Sequence, residues 1–156
     1  MRVMFFGSGA FGLPTLEWLA DSHELTAVVS QPDRPAGRKR SLTPTPVSSV
    51  AARLGVPLHR FEDVNAASSM AILHGVEAEA WIVIAYGQKL GRPLLQDRFA
   101  INLHGSLLPR WRGASPIHQA IMAGDIETGV SVITVADQMD AGDVLDQVSI
   151  PVSPSD

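Results

Sequence analysis

The chain has no cysteine. Thiol catalysis, disulfides and thiolate-held zinc are therefore excluded. No run of 18 apolar residues occurs, so no transmembrane helix is expected. The apolar start, MRVMFFGSGAFG, breaks into glycines after a few residues and reads as a first buried strand, not as a signal peptide. A cytoplasmic enzyme or binding domain is the expectation. Charged residues are only 18%, and the net charge is −4, so the protein is not basic throughout. With 46% hydrophobic residues in 156, the chain can build one domain with a sizeable core and is not a disordered polymer. Neither internal repeats nor low-complexity tracts occur.

The first sixty residues alternate strand and helix. Arg2–Phe6 is a continuous apolar run, as expected of a strand buried on both faces. A glycine loop and a helix over residues 13–21 follow it, and a second strand covers residues 25–30. This is the opening of a Rossmann-like βαβ unit, and it predicts an α/β fold with a mostly parallel sheet. Gly7, Gly9 and Gly12 fit G-x-G-x-x-G. A dinucleotide site needs an acid near the end of the second strand, where this chain has Val29, Ser30 and Gln31. The glycines are thus read as a turn and a close helix–strand approach.

Residues 31–46 (QPDRPAGRKRSLTPTP) read as a loop and not an element, because four prolines interrupt them. Arg34, Arg38, Lys39 and Arg40 face one acid, Asp33, so a local charge of +3 sits in an acidic chain. A solvated surface loop is the plain reading; contact with phosphate is the functional one. Further on, helices are expected over residues 47–54, 65–73 and 116–123. Strands are expected over residues 56–59, 80–85, 99–103, 128–134 and 144–150, the last antiparallel to its predecessor. Residues 94–99 read as a short turn or helix.

The chemistry concentrates in AINLHGSLLPRWRGASP, residues 100–116. Asn102 and His104 fall on one side of a strand end, because strand side chains alternate. An amide there can donate to a developing oxyanion. An imidazole can share that work or carry a proton to or from an amine. Asp140, if folded nearby, would orient the ring. Ser106 lacks the G-x-S-x-G turn of an activated nucleophile. His104, Asp137, Asp140 and Asp143 could in principle gather a metal, but no zinc-type spacing supports it, and no metal is expected.

The run Asn102-Leu103-His104-Gly105-Ser106-Leu107-Leu108-Pro109, then Arg112-Gly113-Ala114 and Pro116-Ile117, resembles the signature of the folate-dependent formyltransferases. Gly124-Asp125, Glu127-Thr128-Gly129-Val130 and Met139-Asp140-Ala141-Gly142-Asp143 follow in that family's order. Pro32-Asp33-Arg34-Pro35-Ala36-Gly37-Arg38 resembles the members that act on methionyl-tRNA. The resemblance implies formyl transfer from 10-formyltetrahydrofolate to the amino group of initiator methionyl-tRNA, in support of translation initiation. It implies catalytic roles for Asn102, His104 and Asp140. It implies folate contacts at Ser106, Leu107, Leu108 and Pro109, with Tyr86, Gly87 and Leu90 walling the pterin. Arg34, Arg38, Lys39 and Arg40 would contact tRNA.

The resemblance also implies a monomer, and a second, barrel domain that residues 1–156 do not contain. A single catalytic domain incomplete at its C-terminus is thus expected. The Gly7–Ala10 and Gln88–Gly91 stretches depart from the family pattern. A formyltransferase acting on an amino sugar nucleotide, and a non-catalytic folate- or RNA-binding remnant, stay open as alternatives.

Overall fold

The computed structural model describes residues 1–36 and 40–153. It divides into two compact units, Met1–Phe99 and Ala100–Asp156. In the first unit the strands are β1 (Arg2–Gly7), β2 (Glu24–Ser30), β3 (Arg34–Ala36), β4 (Ser41–Thr43), β5 (Leu58–Arg60) and β6 (Ala80–Ile84). Its helices are α1 (Leu13–Ser22), α2 (Pro46–Leu54), α3 (Ala67–His74) and the short α4 (Arg92–Leu95). Strands β5, β2, β1 and β6 pair in that order, all parallel. The expected Rossmann-like opening is what forms.

Sequence explains the local choices. Val3, Met4, Phe5 and Phe6 of β1 are buried without alternation, as a parallel strand covered on both faces requires. A Cβ on Gly7 would lie 2.5 Å from Phe5 Cε1 and 2.9 Å from the Ile84 carbonyl. That glycine therefore serves close packing, as expected. Helix α2 starts where the Thr45 hydroxyl accepts the Ser48 N–H at 3.0 Å, with Pro46 in its first turn, and ends on Gly55 at φ 70°. Strand β5 lies at the sheet edge, where Pro57 before it disturbs no ladder.

One expectation is corrected. Residues 31–46 are not wholly a loop: β3 and β4 form an antiparallel hairpin pairing Arg34 with Thr43 and Ala36 with Ser41. A two-stranded ribbon consists of two edges, so Pro35 can sit in it without breaking an interior ladder. The prolines marked the ends of the hairpin as well as its strands.

The core of this unit holds the chain's one tyrosine. Tyr86 is 2% exposed, meets Phe6 edge-on at 5.7 Å, and its hydroxyl has no hydrogen-bond partner among the described residues. Burial chiefly, and the charge of Asp63 next, push its phenol well above the usual 10.0. Above pH ~10 the unfolded chain releases this proton while the folded one keeps it, so stability falls as pH rises. Tyrosinate absorbance should therefore stay low through pH 10 and appear only with unfolding. Ionisation near pH 10 in the folded protein would contradict this placement.

The second unit has strands β7 (Ala100–His104), β8 (Glu127–Thr134) and β9 (Val144–Pro151), and helix α5 (Pro116–Met122). Strand β8 runs antiparallel to both β7 and β9. The antiparallel last pair matches expectation. Along β8 every second residue from Gly129 to Ile133 is buried, the period of a strand with one covered face. Strand ends differ from the sequence reading by one or two residues, the usual looseness of such limits.

Candidate active site

Strand β7 delivers Asn102 and His104, two residues apart, and the loop after β8 delivers Asp140. All three lie in the second unit. His104 is 6% exposed. Its Nε2 meets the Trp111 carbonyl at 2.8 Å, and its Nδ1 lies 3.6 Å from Asp140 Oδ2. Asp140 Oδ1 accepts from Asn102 Nδ2 at 3.3 Å, and Oδ2 accepts the Gly113 N–H at 2.8 Å. The carboxylate is thus the hub: it gathers the amide, the imidazole and one backbone donor.

The chemistry of this group follows from donor counting. A carbonyl only accepts, so His104 Nε2 carries a proton against Trp111. The other ring nitrogen faces the Asp140 carboxylate at 3.6 Å, which orients the ring. Asn102 gives one of its two amide hydrogens to Asp140 and keeps the other for a ligand. An imidazole and an amide hydrogen placed together suit an oxygen on which negative charge builds.

The loop that completes the hub is held under constraint. Asp140 sits at φ 50°, a left-handed conformation in which aspartate is one of the better-tolerated side chains. Thr134 fastens the loop's far end: its N–H donates to the Asp143 carbonyl at 3.0 Å, and its hydroxyl accepts the Asp143 N–H at 2.9 Å. A Cβ on Gly142 would run into the Thr134 carbonyl oxygen.

Below the three residues lies the turn 106–109. Ser106 is fully buried and donates to the Arg110 carbonyl at 2.7 Å. Its hydroxyl is occupied in holding the turn, which fits the missing nucleophile elbow. Ser131, paired with His104 across the strands, donates to the Ser106 carbonyl at 2.6 Å and accepts from the Leu108 N–H at 3.0 Å. Gln147 Nε2 bridges the same hydroxyl and the Leu108 carbonyl, at 2.8 and 3.0 Å. Leu107 is half-buried, Leu108 is buried, and Pro109 is exposed after a cis Leu108–Pro109 peptide.

Residues 1–156 match the formyl transferase family over the whole chain. The chain belongs to the formyl transferase family. It is 43% identical to a methionyl-tRNA formyltransferase of Listeria innocua over 99% of this chain and 50% of that protein. With a methionyl-tRNA formyltransferase of Cereibacter sphaeroides the identity is 46%, over 93% of this chain and 49% of that one. The chain thus spans about half the length of these relatives. Among solved structures, a phosphoribosylglycinamide formyltransferase from Streptococcus pneumoniae superposes with a TM-score of 0.80 at 25% identity, covering 99% of this chain and 84% of that chain.

The other residues that the sequence singled out fall as follows. In the first unit Tyr86 and Leu90 are buried, so each offers backbone more than side chain, and Gly87 is exposed at φ 91°. The Tyr86 carbonyl accepts from Ser8 Oγ and Gln31 Nε2. Arg34 and Arg40 are exposed on the hairpin, and Arg34 pairs with the exposed Glu62 at 2.9 Å. Such a pair contributes little and leaves the arginine exchangeable. Arg38 and Lys39 lie outside the described residues.

No group of three or more His, Asp or Glu placed to hold a metal occurs among the described residues. Asp137 and Asp143 are exposed. No helix among those residues is long and apolar enough to cross a membrane.

Sequence reasoning missed the backbone partners, the Trp111 carbonyl and the Gly113 N–H, and it missed Ser131 and Gln147. Only Ser131 had a usable signal: a serine at an inward position of an alternating apolar strand needs a polar partner there.

Proposed function

We propose that the protein transfers a formyl group from 10-formyltetrahydrofolate to the α-amino group of initiator methionyl-tRNA, acting as a monomer in the cytoplasm. The carrying observation is the convergence of Asn102, His104 and Asp140 through one carboxylate. In this reading residues 1–156 form a catalytic domain.

The neutral amine of the acceptor attacks the formyl carbon, forming the new C–N bond. Negative charge moves to the formyl oxygen, where the free Asn102 amide hydrogen and protonated His104 stabilise it. The Asp140 carboxylate keeps the imidazolium favourable while the intermediate lasts. The amine gives up a proton, which passes by way of water at Asp140 to the folate nitrogen. That nitrogen leaves protonated as its bond to the formyl carbon breaks. Atoms and charge balance without a covalent enzyme intermediate and without a metal. The turn 106–109, stiffened by Ser131 and Gln147, is the donor-binding element of the second unit.

The acceptor is chosen by the basic hairpin. Arg34 and Arg40 on it, with Arg38 and Lys39, supply phosphate contacts, which fix position and give a salt-dependent affinity. Replacing Arg38 and Arg40 by alanine should weaken methionyl-tRNA binding about ten-fold and flatten its dependence on salt. Folate binding should stay unchanged. The choice of substrate itself is tested by offering methionyl-tRNA, an amino sugar nucleotide and glycinamide ribonucleotide with the same donor. Formylation of methionyl-tRNA alone supports the reading. Preference for either other acceptor, or donor binding without any transfer, overturns it.

A further inference from the structure

His104 depends on a carbonyl that nothing in its own strand holds. Trp111 presents that carbonyl from φ 59°, a region non-glycine residues seldom occupy. Something must keep Trp111 there, and the side chains around it show what. The indole Nε1 donates to Asp125 Oδ2 at 2.7 Å. The other carboxylate oxygen, Oδ1, accepts from Arg110 Nη2 at 2.8 Å. The Arg110 guanidinium in turn lies over the Trp111 ring, 5.1 Å from its centre.

Asp125 is suited to anchor this. Its side chain is 12% exposed, and its N–H donates to the Ala120 carbonyl of α5 at 3.0 Å. Gly124, at φ 72°, turns the chain from α5 to place it. Both oxygens of one fixed carboxylate are therefore occupied by two consecutive residues, Arg110 and Trp111. A carboxylate that merely paired with a surface arginine would not also hold the indole.

We propose that Asp125 is a positioning residue for formyl transfer. By clamping Trp111 it fixes the carbonyl that accepts the hydrogen bond from His104 Nε2–H, and so sets the ring's tautomer and angle toward Asp140. The proposal rests on the reading of His104 as part of the catalytic group. It adds a connected line, Asp125 to Trp111 to His104, with Asp125 itself touching no reacting atom. Small misplacement of a reacting group is enough to slow such a step strongly.

The clamp borders a cavity of about 400 Å³ lined by Arg110, Trp111, Asp125, Glu127 and Thr128. Removing the carboxylate thus opens onto that space and not onto the packed core, so Asp125→Ala should fold.

The test pairs Asp125→Ala and Trp111→Phe with their double variant. Trp111→Phe keeps an aromatic ring but removes the indole donor together with the second ring. Steady-state formyl transfer is read together with imidazole nitrogen NMR, with His104 assigned by its absence in His104→Ala. Each single variant should lower kcat about ten-fold, leave both KM values within two-fold, and shift or broaden the His104 Nε2–H signal. The double variant should be no slower than the worse single one. An unchanged His104 signal in both singles overturns the proposal, even if kcat falls. So does unchanged kcat. Should His104→Ala itself keep full activity, the reading of the site fails instead, while the NMR signal still decides whether Asp125 holds the ring.

Discussion

Replacing Asp140 by alanine should lower turnover in formyl transfer by about 100-fold or more, with the affinity for the folate donor little changed. The carboxylate serves two donors and faces an imidazole at once. It accepts from Gly113 N–H at 2.8 Å and Asn102 Nδ2 at 3.3 Å, and it faces His104 Nδ1 at 3.6 Å. Without it, the ring loses the charged neighbour that orients it, and the amide loses its orientation.

The two effects can be separated. Asp140→Asn keeps the shape and one accepting oxygen but removes the charge, and it turns an NH2 group toward existing donors. It should therefore be nearly as slow as the alanine variant. Near-normal rates for Asp140→Asn would mean that orientation alone matters and that the imidazolium needs no counter-charge.

Gly142→Ala should also slow transfer, although the residue touches no reacting group. An added Cβ would collide with the Thr134 carbonyl oxygen, a backbone atom that cannot swing aside. Thr134 is also the post to which the loop is tied, through two bonds with Asp143. Relief must come from moving the loop, and Asp140 is two residues away at a left-handed φ of 50°. Overpacking of this kind usually costs about 1–3 kcal/mol in stability. Displacement of Asp140 should slow transfer ten-fold or more. Thermal melting and single-turnover rates check both parts. An unchanged rate would show that the loop adjusts without carrying Asp140 with it.

Much of this was legible in the amino-acid sequence, for identifiable reasons. Buried parallel strands write continuous apolar runs, and β1 did so, with Gly7 marking where its backbone is approached closely. Asn102 and His104 declared themselves by strand alternation, because side-chain chemistry at fixed spacing survives without coordinates. Asp140 could be read only as a partner if folded nearby, and the resemblance gave it a catalytic role, since 36 residues separate it from His104 and no local period links them.

What stayed hidden has a common cause. The Trp111 carbonyl and the Gly113 N–H are backbone groups, which every residue possesses, so sequence cannot single them out. The hairpin of β3 and β4 was hidden because proline density signals a break, while a free-standing ribbon tolerates proline at its edges. The role of Asp125 needed the left-handed turn at Trp111, which no residue type there announces.

The central claim is that Asn102, His104 and Asp140 act together on the formyl oxygen, and the most direct measurement is the single-turnover rate of transfer to methionyl-tRNA by His104→Ala, beside donor binding in the same variant. The account predicts a rate lower by about 100-fold or more with donor binding intact. A variant that keeps more than about a tenth of the wild-type rate would contradict it, since a group shaping the transition state contributes more than that.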